Sequence, residues 1–110
     1  MKNKLYASLI FLNLSLLAQT AEQPSGSGTE NDPYLVGTLN NLYWMTENSG
    51  EWDKYYIQTS DIDASSTDAW DDGLGFTSIG NSSTKFTGSY EGGGYTINGL
   101  NINRPSTNYT

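Results

Sequence analysis

The side chains with most capacity for chemistry are five carboxylates close together, Asp61, Asp63, Asp68, Asp71 and Asp72. Carboxylates at such density supply the hard oxygen ligands that calcium prefers. Set against an EF-hand loop starting at Asp61, the spacing fails, since the sixth position is Ser66 where glycine is needed and the twelfth is Asp72 rather than glutamate. Gly92-Gly93-Gly94-Tyr95 likewise lacks the aspartate-bearing half of the calcium-binding nonapeptide. A solvated acidic loop is the better reading, and structural calcium, if bound, would order that loop. Carboxylate pairs also serve glycoside hydrolysis, but separation in space decides that mechanism, and Asp61 and Asp63 merely share one face of a strand. No cysteine and no histidine occur, which excludes disulfides, thiolate metal sites, cysteine nucleophiles and Ser-His-Asp triads. No residue is therefore assigned a catalytic, cofactor-binding or metal-binding role.

The aromatic residues Trp44, Trp52, Tyr55, Tyr56 and Trp70 offer a second chemistry, stacking on sugar rings. Trp44 lies beside the apolar face of a helix and is expected to be buried, whereas Trp52, between Glu51 and Asp53, is the one expected to be exposed. The triple glycine lacks the Gly-Lys-Ser/Thr ending of a phosphate loop and reads as a tight turn. Asn81-Ser82-Ser83 and Asn108-Tyr109-Thr110 fit the short glycosylation acceptor pattern.

These residues sit in a chain of 110 residues with a formal net charge of −7. Acidity of this degree repels phosphate, so nucleic acid is excluded as a partner. Lys2 and Lys4 precede an apolar run from Leu5 to Ala18, the layout of a secretory signal peptide over residues 1–21. That run is too short to span a bilayer, and no membrane insertion of the mature chain is expected. From Glu22 onward the chain has 89 residues and a net charge of −9. Only 13 of those are Leu, Ile, Val or Phe, but 12 are aromatic, which separates the chain from disordered sequences and implies folding beside further polypeptide.

Residues 22–31 contain no apolar side chain beyond Pro24 and read as a flexible linker. An N-terminal cap over residues 32–50 follows. In it Thr38 is suited to N-cap a helix whose Leu39, Leu42, Tyr43 and Thr46 fall on one face. Beyond Gly50, β-branched and aromatic residues alternate with glycine and asparagine. Strands are expected at Tyr55–Thr59, around Ile62, and in short runs over Phe76–Ile79, Phe86–Tyr90, Tyr95–Ile97 and Leu100–Ile102. The expected inward side chains are Ile57, Ile79, Phe86, Ile97, Leu100 and Ile102.

The strings Phe76-Thr77-Ser78-Ile79-Gly80 and Phe86 through Ile102, with Gly92-Gly93-Gly94-Tyr95-Thr96-Ile97-Asn98-Gly99-Leu100 at their centre, resemble a rung of bacterial, adhesin-like surface proteins that carry GLUG motifs. Gly26 through Val36, the helix around Leu39 and Leu42, Asp61-Ile62-Asp63 and Trp70 are similar to the segments that open such domains. The Gly-Leu-apolar-Gly signature itself is absent. The resemblance implies an all-β fold, the start of a right-handed parallel β-helix over residues 51–110, as an incomplete fragment whose coils stack onto further coils of the same chain. It also implies burial of Trp70 near the first coil, and a non-catalytic, secreted or cell-surface adhesin-type module with a glycan or protein ligand. The competing expectation is the N-terminal part of an extracellular polysaccharide-degrading β-helix enzyme.

Overall fold

Residues 19–105 are described by a computed structural model of the chain. The expected signal peptide therefore lies almost wholly outside the described residues, as does Asn108-Tyr109-Thr110. The described chain orders as β1 (Tyr34–Val36), α1 (Leu39–Glu47), a 3-10 turn (Ser49–Glu51), β2 (Tyr55–Gln58), β3 (Ile62–Asp63), a 3-10 segment (Ser65–Gly73), β4 (Ser89–Glu91) and β5 (Ile97–Asn98).

Helix α1 forms where its sequence places it. Thr38 is extended, and its Oγ1 accepts the Asn41 N–H at 3.1 Å, satisfying one of the amides that every helix start leaves open. The Asn41 Oδ1 in turn accepts the Gly37 N–H at 3.0 Å, so a shorter side chain closes a capping box one residue early. At the other end side chains meet the last carbonyls: Thr46 Oγ1 donates to Tyr43 O, Asn48 Nδ2 to Trp44 O, and Trp52 Nε1 to Met45 O at 2.7 Å. Leu42 and Met45 bury the helix against the sheet.

All strand pairing within the two sheets is parallel. One sheet has the order β1-β2-β4 and the other pairs β3 with β5. Parallel register puts partner side chains on the same face, so Tyr34, Tyr56 and Tyr90 form one inward column. Their rings lie 5.2 Å and 6.5 Å apart in sequence, with Trp44 edge-on to Tyr34 at 5.5 Å and Phe86 at 6.0 Å from Tyr56. A second cluster joins Tyr43, Trp70 and Phe76. Aromatic packing of this kind compensates for the scarcity of aliphatic residues.

Buried polar groups are paired. Gln58 Nε2 donates to Ser60 O and Thr96 O while its Oε1 accepts the Tyr90 hydroxyl at 2.8 Å. Thr67 donates to Ala64 O and accepts the Asn101 N–H at 2.9 Å, which ties the 3-10 segment to the end of the described chain. Gln58 is thus a polar hub holding β2, β4 and the approach to β5 together.

Several expectations are corrected. The described residues do not form an all-β, right-handed parallel β-helix: they make a small mixed fold in which strands of two to four residues form two small sheets beside α1 and short 3-10 turns over Ser65–Gly73 broken by a kink at Trp70, Asp71 and Asp72, with no closed coil among the described residues. The physical reason is that much of the backbone between strands bonds into turns and isolated contacts. Phe76–Ile79 and Leu100–Ile102 illustrate it, since there only an antiparallel bridge between Gly75 and Ile102 forms. The facing of β2 is also the reverse of that expected, with Tyr56 and Gln58 inside and Ile57 on the outer face. Ile97, Leu100 and Ile102, expected inside, are exposed. Residues 22–31, read as a flexible linker, are bonded along the body: Ser25 bridges Leu35, Gly28 O accepts the Tyr55 N–H at 2.9 Å, and Glu22 N–H reaches Asn40 O.

The aromatic column makes the fold sensitive to alkali. The Tyr34 hydroxyl donates to the Glu51 carboxylate, and this bond, reinforced by burial, pushes the phenol up to about 12 from its ordinary 10.0. Burial pushes Tyr90 up to about 12, and burial followed by the nearby Glu51 charge raises Tyr56 further. A raised folded-state value means that the folded chain holds protons the unfolded chain releases. The contribution of these phenols is therefore complete below pH 10 and is lost as pH rises from 10 toward 12. We expect the buried phenols to ionise only together with cooperative unfolding; tyrosinate absorbance rising near its ordinary midpoint with the circular dichroism unchanged would contradict this.

Candidate functional site

Alternation along β2 sends Tyr55 and Ile57 to the outer face of the three-stranded sheet, and register sets Ser89 beside Tyr55 and Glu91 beside Ile57. The turn before β1 closes this face from one side. There Ser27 N–H donates to Asp32 O, the Asp32 carboxylate accepts the Ser27 hydroxyl at 2.6 Å, and Asp32 N–H reaches Thr29. Gly26 makes the turn possible: its φ is +100°, and a Cβ there would lie 2.1 Å from Pro33 O. The result is a solvent-open cleft of about 220 Å³ lined by Glu30, Pro33, Tyr55, Tyr56, Ile57, Ser89 and Glu91.

The cleft combines an exposed aromatic ring and apolar walls with carboxylate and hydroxyl oxygens. Such a surface can stack on the apolar face of a ring while accepting hydrogen bonds from hydroxyls. Tyr55 was legible as a candidate platform residue. Glu30, Ser89 and Glu91 were not, because 25 residues or more separate Tyr55 from each of them along the chain.

The rings of the other aromatic candidates are not turned to this face; Tyr56, which lines the cleft, keeps its side chain inside. Trp52 is the clearest correction: expected exposed, it is buried at 4% accessibility because its indole N–H is spent on the Met45 carbonyl. Trp70 is buried as expected, Trp44 packs half-buried on Tyr34, and Tyr56 is in the core.

The five aspartates are dispersed, and three of them serve structural tasks. Asp61 Oδ1 accepts the Thr96 N–H at 2.9 Å, and Asp63 Oδ1 accepts both the hydroxyl and the N–H of Ser65, which hold its carboxyl below the ordinary value. Asp71 pairs with Arg104, whose guanidinium also donates to Gly75 O and Phe76 O, pinning the turn in which Asp71 and Asp72 adopt positive φ. Among the described residues no group of three or more acidic side chains is placed to hold a metal ion. No described helix is long and apolar enough to cross a membrane.

No family model matches the chain, and no solved structure does. Two much longer proteins are similar to it. Halomucin of Haloquadratum walsbyi is 43% identical over 81 residues, which cover 72% of this chain and 1% of that protein. A protein of Evansella cellulosilytica named as a Gly-rich membrane protein is 38% identical over 87 residues, covering 76% of this chain and 10% of that protein. The chain thus spans a small fraction of the length of the relatives it matches. Neither name is that of an enzyme, and one is that of a membrane protein, which coarsely associates such sequences with non-enzymatic proteins of the cell surface.

Proposed function

We propose that the chain is a non-catalytic adhesin-type module, exported and displayed at the cell surface, which holds glycans in the cleft on the outer face of the three-stranded sheet. The observation that carries the reading is the cleft itself: Tyr55, 40% exposed in a fold that packs most of its aromatic rings into the core, faces solvent beside Glu30, Ser89 and Glu91. Shallow, open and polar at its rim, the cleft suits weak reversible contact with a hydroxyl-rich chain. The similarity to small parts of very long proteins, one named Halomucin, supports a module repeated or embedded in a surface chain rather than an independent enzyme.

The test is an amide chemical-shift titration with neutral hexose oligosaccharides. Perturbations are expected at Tyr55, Ile57, Ser89 and Glu91, and Tyr55→Ala should weaken binding at least about tenfold, the size of one lost stacking contact. Absence of perturbation on this face across the oligosaccharides would overturn the glycan reading, and release of new reducing ends from a polysaccharide would overturn the non-catalytic one.

A further inference from the structure

The cleft on the outer face of the three-stranded sheet is charged with one sign only. Glu30 and Glu91 are among its lining residues, and no lysine or arginine is. Many carboxylates elsewhere are spent inside the fold: Asp32 accepts the Ser27 hydroxyl, Glu51 the Tyr34 hydroxyl, Asp61 the Thr96 N–H and Asp63 the Ser65 hydroxyl, while Asp71 pairs with Arg104. Glu30 and Glu91 are exposed, and among the described residues they accept no hydrogen bond and pair with no cation. Lys54, next to Tyr55 in the chain, is turned to Asp53 at 3.5 Å and does not line the cleft.

Strand register sets these carboxylates around an aromatic ring. Tyr55 pairs with Ser89 and Ile57 with Glu91, so the four side chains stand at the corners of a patch on the outer face, one strand spacing of about 4.8 Å by two residues of about 6.6 Å. Glu91 is diagonal to Tyr55 in this patch, and Glu30 stands with Pro33 on the turn that walls the cleft on the β1 side. A pyranose stacked on Tyr55 therefore has a carboxylate on either side of it and the Ser89 hydroxyl beside it. An ammonium group on such a ring meets charged acceptors with no other partner in the described fold. A uronate or sulfate in the same place meets like charge, with no guanidinium or ammonium to receive it.

We propose that the cleft selects cationic glycans, polymers of amino sugars with free amines, one pyranose stacking on Tyr55 while an ammonium group meets Glu30 or Glu91. This rests on the glycan reading of the cleft given above and adds to it the charge of the sugar. The wider field acts in the same direction, since a net charge of −9 from Glu22 onward draws a polycation to the surface and repels uronic and sulfated chains. Because Glu30 and Glu91 are exposed, they give selectivity rather than tight affinity, and salt weakens it.

The test compares glucosamine oligosaccharides with their N-acetylated counterparts, which have the same linkage and no charge, by amide chemical-shift titration at about pH 6, where amines are protonated. The glucosamine form is expected to shift Tyr55, Ile57, Ser89 and Glu91 and to bind at least about threefold more tightly, the combined size of two exposed ion pairs. Glu30→Gln with Glu91→Gln should abolish that preference and leave amide shifts away from the cleft in place, which shows that the fold is intact. Asp68→Asn with Asp72→Asn removes the same charge from exposed positions outside the cleft and should preserve the preference. Equal affinity for the two sugars would overturn this proposal and leave the glycan reading standing, whereas no perturbation of the face by either would overturn both. A preference that survives the glutamine pair, or that the asparagine pair reduces as much, would overturn the proposal by assigning the selectivity to net charge.

Discussion

Tyr56→Ala should leave the chain largely unfolded at room temperature. Tyr56 is 1% exposed at the centre of the column, with Tyr34 on one side, Tyr90 on the other and Phe86 against its ring. Its hydroxyl donates to Glu51 O at 2.7 Å, which fastens the 3-10 turn to β2. Truncating a buried aromatic ring costs about 3–5 kcal/mol, because three other rings lose contact and the cavity cannot collapse fully. Small domains are stable by only about 5–15 kcal/mol, and one with so few aliphatic residues belongs at the low end. Tyr56→Phe keeps the ring and loses the hydroxyl bond, so it should cost only about 0.5–1.5 kcal/mol. Near-ultraviolet circular dichroism during thermal melting distinguishes the two. An alanine variant melting within a few degrees of the parent chain would mean that the tyrosine column is not the core.

Gly88→Ala should be nearly as damaging, by a different mechanism. A Cβ at Gly88 would sit 2.1 Å from Lys54 O and 2.9 Å from Lys54 N, and both are backbone atoms that no rotamer change can move aside. The overlap falls where β4 docks on β2, at the bonds from Gly88 N–H to Trp52 O and from Ser89 N–H to Lys54 O. The strands must separate to admit the methyl group, at a cost of at least the ~1–3 kcal/mol typical of overpacking, together with those bonds. Gly92→Ala is the control, since nothing lies within 4 Å of its added Cβ. It should be neutral or gain about 0.4–1 kcal/mol through the unfolded chain. Denaturant midpoints for the pair, with amide exchange at Glu91, read the outcome. Equal midpoints would show that β4 is not held against β2 as described.

How much of this was legible in the residues varies by element. Helix α1 was, because Thr38 and the spacing of Leu39, Leu42 and Tyr43 are local signals that survive in any context. The positions of β2 and β3 were legible for the same reason, as short β-branched and aromatic runs between turn residues. The facing of β2 was not. Tyr55-Tyr56-Ile57-Gln58 offers an aromatic residue to either side, and a single glutamine does not show beforehand that it will find Ser60 O, Thr96 O and the Tyr90 hydroxyl as partners. Trp52 failed similarly. Its charged neighbours suggested exposure, but the open carbonyl at the end of α1 drew its indole inward.

The sequence by itself determined the chemistry the chain lacks, its acidity and the uneven placement of that acidity, the helix with its cap, and the approximate places of the first strands. All of these depend on composition or on contacts within a few residues. Only the tertiary structure decided that no coil closes among the described residues, that Ile97, Leu100 and Ile102 are exposed rather than inward, and that Glu30, Tyr55, Ser89 and Glu91 share one cleft. The physical reason is the period of two along a strand: a shift of one residue turns every side chain to the other face, and only distant pairing, Tyr34 with Tyr56 with Tyr90, selects between the two arrangements.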